Sequence, residues 1–335
     1  LGSPEKVLSA SKPELCQVDG INMAIAREVN NYSPNNFAEV QLERADEYGV
    51  KIISIWDDEF PPLLKRIYDP PVVIFLNGEL QEEDADTVAI VGTRTPTSYG
   101  KQVAEELSRE LAGAGMTIVS GFAKGIDTIA HLAALEAGGR TIAVLGNGLD
   151  VVYPAENRSY LPLFDENAVF ISEFPFGTKP DAPNFPQRNR IISGLSHGVI
   201  VVEAGSSSGA VLTALDSVDQ NREVFAVPGR LTDSKSEGCL RLIRNGAIPV
   251  KDAEQIIAVL NPHLKVARSP IQQKIRLDLD GDEAAVYEIL SREPKYIDDI
   301  SAECGLDSSL LLMVLLSLEL KGAVRQLSGK MFVLR

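Results

Sequence analysis

Short apolar runs alternate with helical patterns through the middle of the chain. Most runs are rich in β-branched residues, as expected of strands buried on both faces of a sheet. They are Val88–Val91, Thr117–Val119, Thr141–Leu145, Val169–Ser172, Val199–Val202, Val224–Val227 and Ile248–Val250. Helical patterns between them include Lys101–Ala114, Ile126–Ala137 and Gly209–Asp219. This alternation predicts right-handed βαβ units and therefore an α/β fold with a doubly wound parallel sheet.

The segment before this core changes from helical to extended patterns. Residues 1–50 show helical spacing and predict a small helical domain, with a tight turn at Val18–Asn22. The turn resembles a helix-hairpin-helix motif, whose backbone N–H groups contact DNA phosphates, although Asn22 stands where the second turn glycine is expected. A helical packing domain is the alternative. Residues 51–86 add strand patterns and complete a Rossmann-like core that we place at residues 51–260.

The segment after the core predicts a linker and a separate small domain. Residues 261–281 mix Pro, Gln, Lys and Asp with little apolar periodicity, which is typical of a linker. Three helical segments and a hairpin then predict a winged-helix domain at residues 282–335. The helices are Glu283–Leu290, Ile297–Cys304 and Ser308–Leu320, and the hairpin strands are Val324–Leu327 and Met331–Leu334.

Charge is distributed unevenly along the 335 residues. The formal net charge is −15, which argues against a surface coated with cations for duplex DNA. Residues 87–250 carry 14 Lys and Arg against 17 Asp and Glu, a net charge of only −3, so the flanks carry the remaining −12. A polyanion is therefore expected to bind at a local patch of the core.

Several features favour a cytoplasmic protein. No apolar run approaches the roughly 20 residues of a membrane span, so no membrane partner is expected. The first residues lack the pattern of a signal peptide, and because the chain begins with Leu1, further N-terminal residues are expected. Cys16, Cys239 and Cys304 are widely spaced, which favours free thiols in a reducing compartment over disulfides or a zinc site.

Small, hydroxylated and basic residues follow the predicted strands. In an open parallel sheet, ligands bind outside the carboxyl ends of the strands, where helix N-termini offer backbone N–H groups to anions. We therefore expect these loops to bind an anion through free backbone N–H groups. The loops are Gly92–Gly100, Ser120–Asp127, Gly146–Gly148, Asn184–Arg190 and Glu203–Gly209.

Cations and an aromatic residue in these loops point to single-stranded nucleic acid. Arg94 and Lys124 each follow a strand, and Phe185 precedes Arg188 and Arg190 with no acidic residue among them. Several anion sites on one sheet edge suit a chain of phosphates. Phe185 offers a stacking face that only an unpaired base can use. Because one helix start rarely needs two unpaired guanidiniums, we expect Arg188 and Arg190 to be available for a ligand.

Other kinds of site lack their required patterns. The chain has neither the GxGxxG motif of a dinucleotide site nor the GxxxxGK[ST] motif of a P-loop, so we expect no cofactor. The GxSxG motif of hydrolases is also missing, and no catalytic residue is expected. Asp127 and His131 are four residues apart on a helix, but no third ligand is evident, so we expect them to form a hydrogen-bonded pair rather than a metal site.

An ordered series of motifs resembles the DNA-processing protein A (DprA/Smf) family over roughly residues 50–250. The motifs include Gly92-Thr93-Arg94, Val119-Ser120-Gly121 with Gly125-Ile126-Asp127, Tyr153-Pro154, Phe185-Pro186 with Arg188-Asn189-Arg190, Val202-Glu203-Ala204 and Val227-Pro228-Gly229. The resemblance implies a homodimer without catalytic activity that binds single-stranded DNA and loads the RecA recombinase onto it during natural transformation.

The resemblance also implies which residues contact DNA. By motif position these are Arg94, Lys124, Phe185, Arg188 and Arg190. We expect further DNA contacts from residues of the same loops and of one basic helix, namely Gly92, Thr93, Asn189, Ser208, Gly209, Arg241 and Arg244. Leu240 departs from the pattern, since family members usually carry Asn there. The apolar edge near Ile200–Val202 and Val211–Leu215 is a candidate dimer surface, and burial in the core is its alternative.

Two other functions use the same core. One is a nucleotide-binding sensor or a phosphoribohydrolase-like enzyme, but Glu203–Ala214 lacks the paired glycines and the trailing Glu of the phosphoribohydrolase motif. The other is a pure scaffold, which leaves the cations in the strand-end loops unexplained. For the winged-helix domain, the leucine-rich Ser308–Leu320 carries no cation and predicts contact with protein rather than with duplex DNA.

Overall fold

The computed structural model describes residues 1–32, 35–164, 166–264, 281–291, 294–321, 323–327 and 329–334. The chain forms two compact units, Leu1–Ile271 and Gln272–Arg335. Most of the predicted linker at 261–281 lies outside the described residues, apart from a 3₁₀ turn at Asn261–His263, Leu264 and Gly281.

The first unit begins with short helices, as the sequence predicts. They are α1 (Pro4–Ser9), α2 (Lys12–Leu15), α3 (Met23–Asn31) and α4 (Phe37–Tyr48). Asn22 begins α3 by accepting hydrogen bonds from the backbone N–H groups of Ala24 and Ile25 at 2.9 and 3.0 Å. Asn is therefore a suitable residue at this position because its side chain caps the helix.

The core then alternates strands and helices. The strands are β1 (Lys51–Ser54), β2 (Val73–Asn77), β3 (Thr87–Val91), β4 (Thr117–Ser120), β5 (Thr141–Leu145), β6 (Ala168–Ser172), β7 (Gly198–Val201), β8 (Glu223–Ala226) and β9 (Ile248–Pro249). The helices are α5 (Ser98–Gly113), α6 (Ile126–Glu136), α7 (Asn184–Gly194), α8 (Gly209–Asp219), α9 (Glu237–Arg244) and α10 (Ala253–Leu260). A 3₁₀ helix spans Ala155–Leu163.

The nine strands form one sheet in the order β1-β2-β6-β5-β4-β3-β7-β8-β9. From β6 to β9 all neighbours are parallel, and the strand order reverses beside β3, so the predicted doubly wound core is confirmed. The segment at 51–86 extends the sheet through β1 and β2, which pair antiparallel with each other and with β6. The sheet is therefore mixed rather than wholly parallel.

Helices cover both faces of the sheet. On one face, Ile191 of α7 and Val211 of α8 pack in the same apolar cluster as Val119 and Val144. On the other face, residues of α5, α6 and α10 pack with Val88 and other strand residues. Burying each such side chain contributes roughly 1.5–3 kcal/mol, which explains the uniformly apolar strands.

Part of the candidate dimer surface is interior. Ile200, Val201 and Val202 are at most 1% exposed within the sheet, so the expectation that they form an external edge is wrong. Burial in the core, the alternative, accounts for them because β7 lies between β3 and β8. Neighbouring α8 does present apolar side chains to solvent, namely Leu212, Leu215 and Val218.

The second unit has the predicted winged-helix architecture. Its elements are α11 (Gly281–Ile289), β10 (Lys295–Tyr296), α12 (Ile297–Cys304), α13 (Ser308–Leu320), β11 (Val324–Leu327) and β12 (Met331–Leu334). The sheet order is β10-β12-β11, so the sequence missed the two-residue strand β10. Among the described residues, no helix alone has the length and apolar composition to cross a membrane. Among the described helices, only α12 and α13 taken together have that length and composition, and the chain bends by 106° between them.

Candidate functional site

The reversal of strand order beside β3 brings the predicted loops together. The loops after β3, β4, β5 and β7 all leave the carboxyl edge of the parallel strands, and α7 begins near the same edge. This is where a doubly wound sheet opens a crevice for a ligand. The structure therefore brings together, at one edge of the sheet, the loops in which the sequence predicts the site.

The N-terminus of α5 is already occupied by a carboxylate of the protein. Glu203 is 3% exposed, and its Oε2 accepts a hydrogen bond from the Thr97 backbone N–H at 2.9 Å. Its Oε1 accepts a hydrogen bond from the Thr97 hydroxyl. The Thr93 N–H donates to the Glu203 carbonyl oxygen at 2.8 Å. The expectation of free backbone N–H groups is therefore wrong for Thr93 and Thr97, because Glu203 accepts from both.

The Asp127 carboxylate likewise accepts hydrogen bonds from backbone N–H groups of the loop after β4. Its Oδ2 accepts hydrogen bonds from the N–H groups of Gly121 at 3.2 Å and Ala123 at 3.4 Å, and the Gly92 N–H is a further donor. Burial raises the pKa of the Asp127 carboxyl, and the nearby Arg188 opposes that shift. Two expected anion donors, Gly92 and Gly121, thus face inward.

Asp127 and His131 have separate partners, so the expected hydrogen-bonded pair is not formed. The buried His131 Nδ1 lies 2.6 Å from the Thr141 hydroxyl, which donates to the Ile118 carbonyl oxygen. Burial lowers the pKa of His131 to about 3, with a further contribution from Arg188, so the ring is neutral at physiological pH. Within the part of the chain that the structure describes, no group of three or more His, Cys, Asp or Glu is placed to hold a metal.

Arg188 is a buried cation at the floor of the site. It is 4% exposed, and its Nη1 donates to the Val144 carbonyl oxygen at 2.7 Å. A Cβ at position 121 would lie 2.0 Å from this Nη1, so the close approach requires Gly121. Burial lowers the pKa of Arg188 to about 10, and Asp127 opposes the shift, so the guanidinium stays charged at neutral pH. Its Nε has no hydrogen-bond partner among the described residues and suits an anion.

Arg190 differs from Arg188 because acidic side chains pair with it. Its Nη2 lies 2.6 Å from Glu173 Oε1 and its Nε lies 3.0 Å from Asp69 Oδ2. The expectation that both arginines are unpaired is therefore wrong for Arg190. The acidic partners come from distant parts of the sequence, which is why the local sequence around Arg190 did not reveal them.

A cavity of 370 Å³ opens above Arg188. We call it the Arg188 cavity. Arg94 and Lys124 line it together with Arg188, so it brings together cations from the loops after β3 and β4 and from helix α7. Lys124 is largely exposed, and the Glu156 carboxylate lies 3.9 Å from its ammonium group. An exposed pair at that distance contributes little, so Lys124 remains available to an anionic ligand.

The wall of this cavity is aromatic. The Arg94 guanidinium lies 5.6 Å from the centre of the Phe185 ring, within the range of a cation–π contact. The Tyr153 ring centre lies 5.6 Å from that of Phe185, with an angle of 37° between the ring planes. A Cβ at position 146 would lie 3.0 Å from the Phe185 ring, which favours Gly146 in the loop beneath it.

A second cavity of 350 Å³ shares Arg94, Tyr153 and Phe185 with the first. We call it the Asn189 cavity, since Asn189 and Gly209 line its far side. The Asn189 Nδ2 donates to the Gly209 carbonyl oxygen at 3.4 Å, and this bond joins α7 to the start of α8. Ser208 caps α8 by accepting from the Ala210 N–H at 3.3 Å and is not among the lining residues.

The remaining predicted residues lie outside both cavities. Arg241 and Arg244 are exposed on the last turn of α9, and Leu240 is half-buried on the same helix. None of the three lines either cavity. Tyr153 and Asn147, in contrast, line the Arg188 cavity although the sequence analysis did not select them as DNA contacts. Their position along the chain could have identified them, because both follow β5 in the loop that contains Gly146–Gly148.

The fold and site define a Rossmann-like protein with a basic, aromatic-walled crevice at the switch point of its sheet. Two family models match the chain: DNA recombination-mediator protein A over residues 51–261, and the DprA winged helix domain over residues 273–330. The chain therefore belongs to the DNA recombination-mediator protein A (DprA/Smf) family.

Individual relatives agree with this membership. DNA processing protein DprA of Bacillus subtilis is 45% identical over 238 residues, which is 71% of this chain and 80% of the relative. The crystal structure of DNA processing protein A from Streptococcus pneumoniae has a TM-score of 0.64 at 37% identity and covers 75% of this chain and 87% of its own. DNA processing protein A from Helicobacter pylori, described for its single-stranded DNA binding mode, has a TM-score of 0.58 at 31% identity. The match covers 65% of this chain and 98% of that one.

Proposed function

We propose that this protein binds single-stranded DNA along the Arg188 cavity and the adjoining Asn189 cavity. The observation that carries the proposal is the convergence of Arg94, Lys124 and Arg188 on one cavity whose wall includes Phe185. Cations that contact phosphates and rings that stack on bases are the two parts that a single-strand site combines. The single-stranded DNA binding of the Helicobacter pylori relative supports the same conclusion.

An unpaired strand fits this site better than a duplex. The Phe185 ring lies between Arg94 and Tyr153 and lines both cavities, so a ligand must present a flat face to use it. Bases in a duplex are stacked on one another and cannot turn into a cavity without unpairing. The net charge of −15 also disfavours a broad duplex-binding surface.

We assign the contact roles by position. Arg188 contacts phosphate from the floor of its cavity, and Arg94 and Lys124 contact it from the rim. Phe185 stacks on a base, and Asn189 contacts the strand in the second cavity beside Gly209. Direct contacts from Gly92, Thr93, Ser208, Arg190, Arg241 and Arg244 stay predictions, because none of these residues lines either cavity.

We propose that the bound strand is transferred to the RecA recombinase during natural transformation, in the cytoplasm. The description of the family as recombination mediators supports this role. The three free cysteines suit a reducing compartment. A homodimer fits the exposed apolar stripe of Leu212, Leu215 and Val218 on α8, which has the spacing of one helix face.

We propose that the protein has no catalytic activity of its own. The stretch Glu203–Ala214 lacks the trailing Glu of the phosphoribohydrolase motif, and Glu203, at its start, is buried as the partner of Thr97. A nucleotide sensor is the second candidate function, favoured by the volume of the Arg188 cavity. Competition by free mononucleotides against a labelled strand distinguishes the two, because a sensor binds the mononucleotide more tightly than the strand.

We propose that the winged-helix unit contacts protein. Leu312, Met313 and Leu316 of α13 are more than half exposed on adjacent turns. Lys321, the cation that follows them, pairs with the buried Glu283 at 2.6 Å. A helix that enters the major groove needs polar or cationic side chains in these positions. A band-shift assay in which the isolated unit Gln272–Arg335 binds duplex DNA tightly would contradict this role.

The DNA proposal is tested by fluorescence anisotropy of labelled single strands and duplexes of equal length across a salt series. Three phosphate contacts predict that log Kobs for the single strand falls with log salt with a slope of about −2. The expected result is tighter binding of the single strand at every salt concentration. Equal or tighter binding of the duplex, or no binding of either at moderate salt, overturns the proposal.

A further inference from the structure

Tyr153 is the aromatic residue of the site with no role so far. It lines both the Arg188 cavity and the Asn189 cavity, and it is 38% exposed. A tyrosine that serves only as a core residue is more enclosed than this. Its position between the two cavities means that a strand running from one to the other passes its ring.

The chain around Tyr153 is held from both sides by buried asparagines. The Asn147 Nδ2 donates to the carbonyl oxygens of Gly148 at 3.0 Å and Val151 at 2.7 Å. The Asn157 Nδ2 donates to the Phe122 carbonyl oxygen at 2.8 Å. Both asparagines are at most 2% exposed, so these bonds are protected from water. The backbone on either side of Tyr153 is therefore held in place before a ligand binds, which lowers the cost of ordering this segment on binding.

Tyr153 extends the aromatic wall beyond Phe185. Arg94, Phe185 and Tyr153 form a continuous series, with 5.6 Å from the guanidinium to the Phe185 ring centre and 5.6 Å from there to the Tyr153 ring centre. The cations of the Arg188 cavity contribute to the same cavity lining as Tyr153. One cavity therefore combines an anion-binding part with a flat apolar part.

We infer that Tyr153 stacks on one unpaired base whose adjacent phosphate is held by Arg188 and Lys124, so that the Arg188 cavity takes one whole nucleotide of the strand. The inference rests on the proposed binding of single-stranded DNA and adds the residue that recognises the base. It gives Tyr153 a contact with the base and none with the phosphate.

The test separates base contacts from phosphate contacts with abasic DNA. Anisotropy measures the affinity of the full chain for a labelled single strand and for the same strand with all interior nucleotides abasic. The variants are Tyr153→Leu, which removes the ring, Tyr153→Phe, which keeps it, and Tyr68→Leu as the control. Tyr68 is fully exposed and lines neither cavity.

The inference predicts a loss that depends on the presence of bases. Tyr153→Leu weakens binding of the normal strand about tenfold, the effect of one lost base stack of about 1.4 kcal/mol. On abasic DNA the wild type and Tyr153→Leu bind equally, because that strand offers no base for the ring to stack on. Tyr153→Phe and Tyr68→Leu bind as the wild type does. The slope of affinity against salt is the same in all four proteins.

Other outcomes overturn the inference in distinguishable ways. If Tyr153→Leu binds the normal strand as the wild type does, or weakens binding of both strands equally, Tyr153 does not contact a base while the DNA-binding proposal stands. If the wild type binds neither strand, the proposed function and this inference fail together.

A second variant keeps the inference testable if Tyr153→Leu does not fold. Trp56 is the only tryptophan of the chain, so the double variant Trp56→Phe/Tyr153→Trp places the only indole in the cavity. A stacked base quenches indole fluorescence. The normal strand is expected to quench it and the abasic strand is not, whereas equal quenching by both contradicts the stacked geometry.

Discussion

Two buried carboxylates decide which parts of the strand-end loops are open to a ligand. Glu203 accepts from the Thr97 N–H at the start of α5 and Asp127 accepts from the Gly121 N–H after β4, so these backbone N–H groups are already paired within the protein. The groups that a ligand can contact in the Arg188 cavity are chiefly the side chains of Arg94, Lys124 and Arg188. The sequence named these cations as candidates, but it could not show that the Glu203 and Asp127 carboxylates accept hydrogen bonds from backbone amides around them.

The first prediction concerns Arg94, which is exposed and can be changed without disturbing the core. Arg94→Gln is expected to weaken binding of single-stranded DNA by about 10–100-fold, the range for a lost hydrogen bond to a charged group. The slope of log Kobs against log salt becomes shallower by about 0.7, the value for one phosphate contact on a single strand.

The matched control for this prediction is Arg109→Gln, which makes the same change of charge. Arg109 lies on α5, pairs with Glu105 and Glu136, and lines neither cavity. Binding by this variant is expected to stay within about twofold of the wild type, because charges beyond a Debye length are screened. Equal losses for the two variants, in anisotropy titrations at one salt concentration, would show that net charge alone governs binding.

The second prediction concerns the pH dependence of stability. Burial and, to a smaller extent, the neighbouring Asp219 raise the pKa of Asp216 on α8 from 3.8 to about 6, against the opposing effect of Arg190. The folded state therefore holds this proton more tightly than the unfolded state, and the contribution of Asp216 to stability falls as pH rises from about 4 to 6. Asn at position 216 cannot ionise, so Asp216→Asn avoids this loss of stability and is expected to raise the free energy of unfolding at pH 7.

Urea denaturation at pH 4 and pH 7 measures this effect at one fixed protein concentration. The advantage of Asp216→Asn over the wild type should be present at pH 7 and should shrink toward pH 4, where the wild-type carboxyl is protonated. Asp58→Asn, at an exposed carboxyl, is the control and should change little at either pH. An advantage of the same size at both pH values is incompatible with the raised pKa.

At the scale of elements, hydrophobic periodicity predicted most strands and helices of the core. It did not predict features that depend on which strands pair with each other. Uniformly apolar runs identified β3 to β8 because both faces of these strands are covered by helices. Strand direction has no such local signal, so the antiparallel pairing of β2 with β6 was not foreseen. The two-residue β10 is too short to have a period and exists because β12 pairs with it.

The third prediction concerns the start of α5. Thr97→Ala removes the hydroxyl that accepts from the Gly100 N–H at 3.1 Å and donates to Glu203, and it leaves that buried carboxylate with one donor fewer. The free energy of unfolding is expected to fall by about 1–2 kcal/mol, the cost of a lost helix cap. Guanidinium denaturation followed by circular dichroism measures it.

The control for the cap is Thr95→Ala in the same loop. The Thr95 side chain is exposed, and the hydrogen bonds of this residue are made by its backbone N–H and carbonyl groups. Its free energy of unfolding should match that of the wild type within about 0.5 kcal/mol. If Thr97→Ala is as stable as Thr95→Ala, Glu203 does not depend on Thr97 and the account of this helix start is wrong.

The fourth prediction concerns the apolar face of α8. Leu215 is 47% exposed between Leu212 and Val218, and Leu215→Glu places a charge in the middle of the stripe. Because an unpaired charge at an apolar interface is costly to desolvate, the variant is expected to sediment as a monomer where the wild type sediments as a dimer. Sedimentation velocity at several concentrations measures the shift.

The matched variant is Leu231→Glu, which changes a leucine that is 87% exposed and lies outside α8. It should sediment as the wild type does. A Leu215→Glu protein that still dimerises would exclude the α8 stripe as the interface. A wild type that is monomeric at every concentration would exclude the homodimer itself.

At the scale of the whole molecule, the sequence predicted that the candidate loops meet at one edge of the sheet, but it did not predict the ion pairs that form there. The order of strands follows from βαβ chirality, and ligand position follows from strand order, so both were predictable. The pairing of Arg190 with Asp69 and Glu173 depends on contacts between segments far apart in the chain. The same holds for Tyr153, whose place beside Phe185 is a product of packing.

The measurement that tests the central claim most directly is the location of the strand on the intact protein. A single-stranded oligonucleotide containing 4-thiothymidine is bound to the full chain, cross-linked with near-ultraviolet light, and the linked peptides are identified by mass spectrometry. We predict cross-links to the peptides that contain Tyr153 and Phe185, and their loss in the Arg94→Gln protein at limiting DNA. Cross-links confined to residues 1–50 or 281–335, with none in the segments that line the two cavities, would contradict the account.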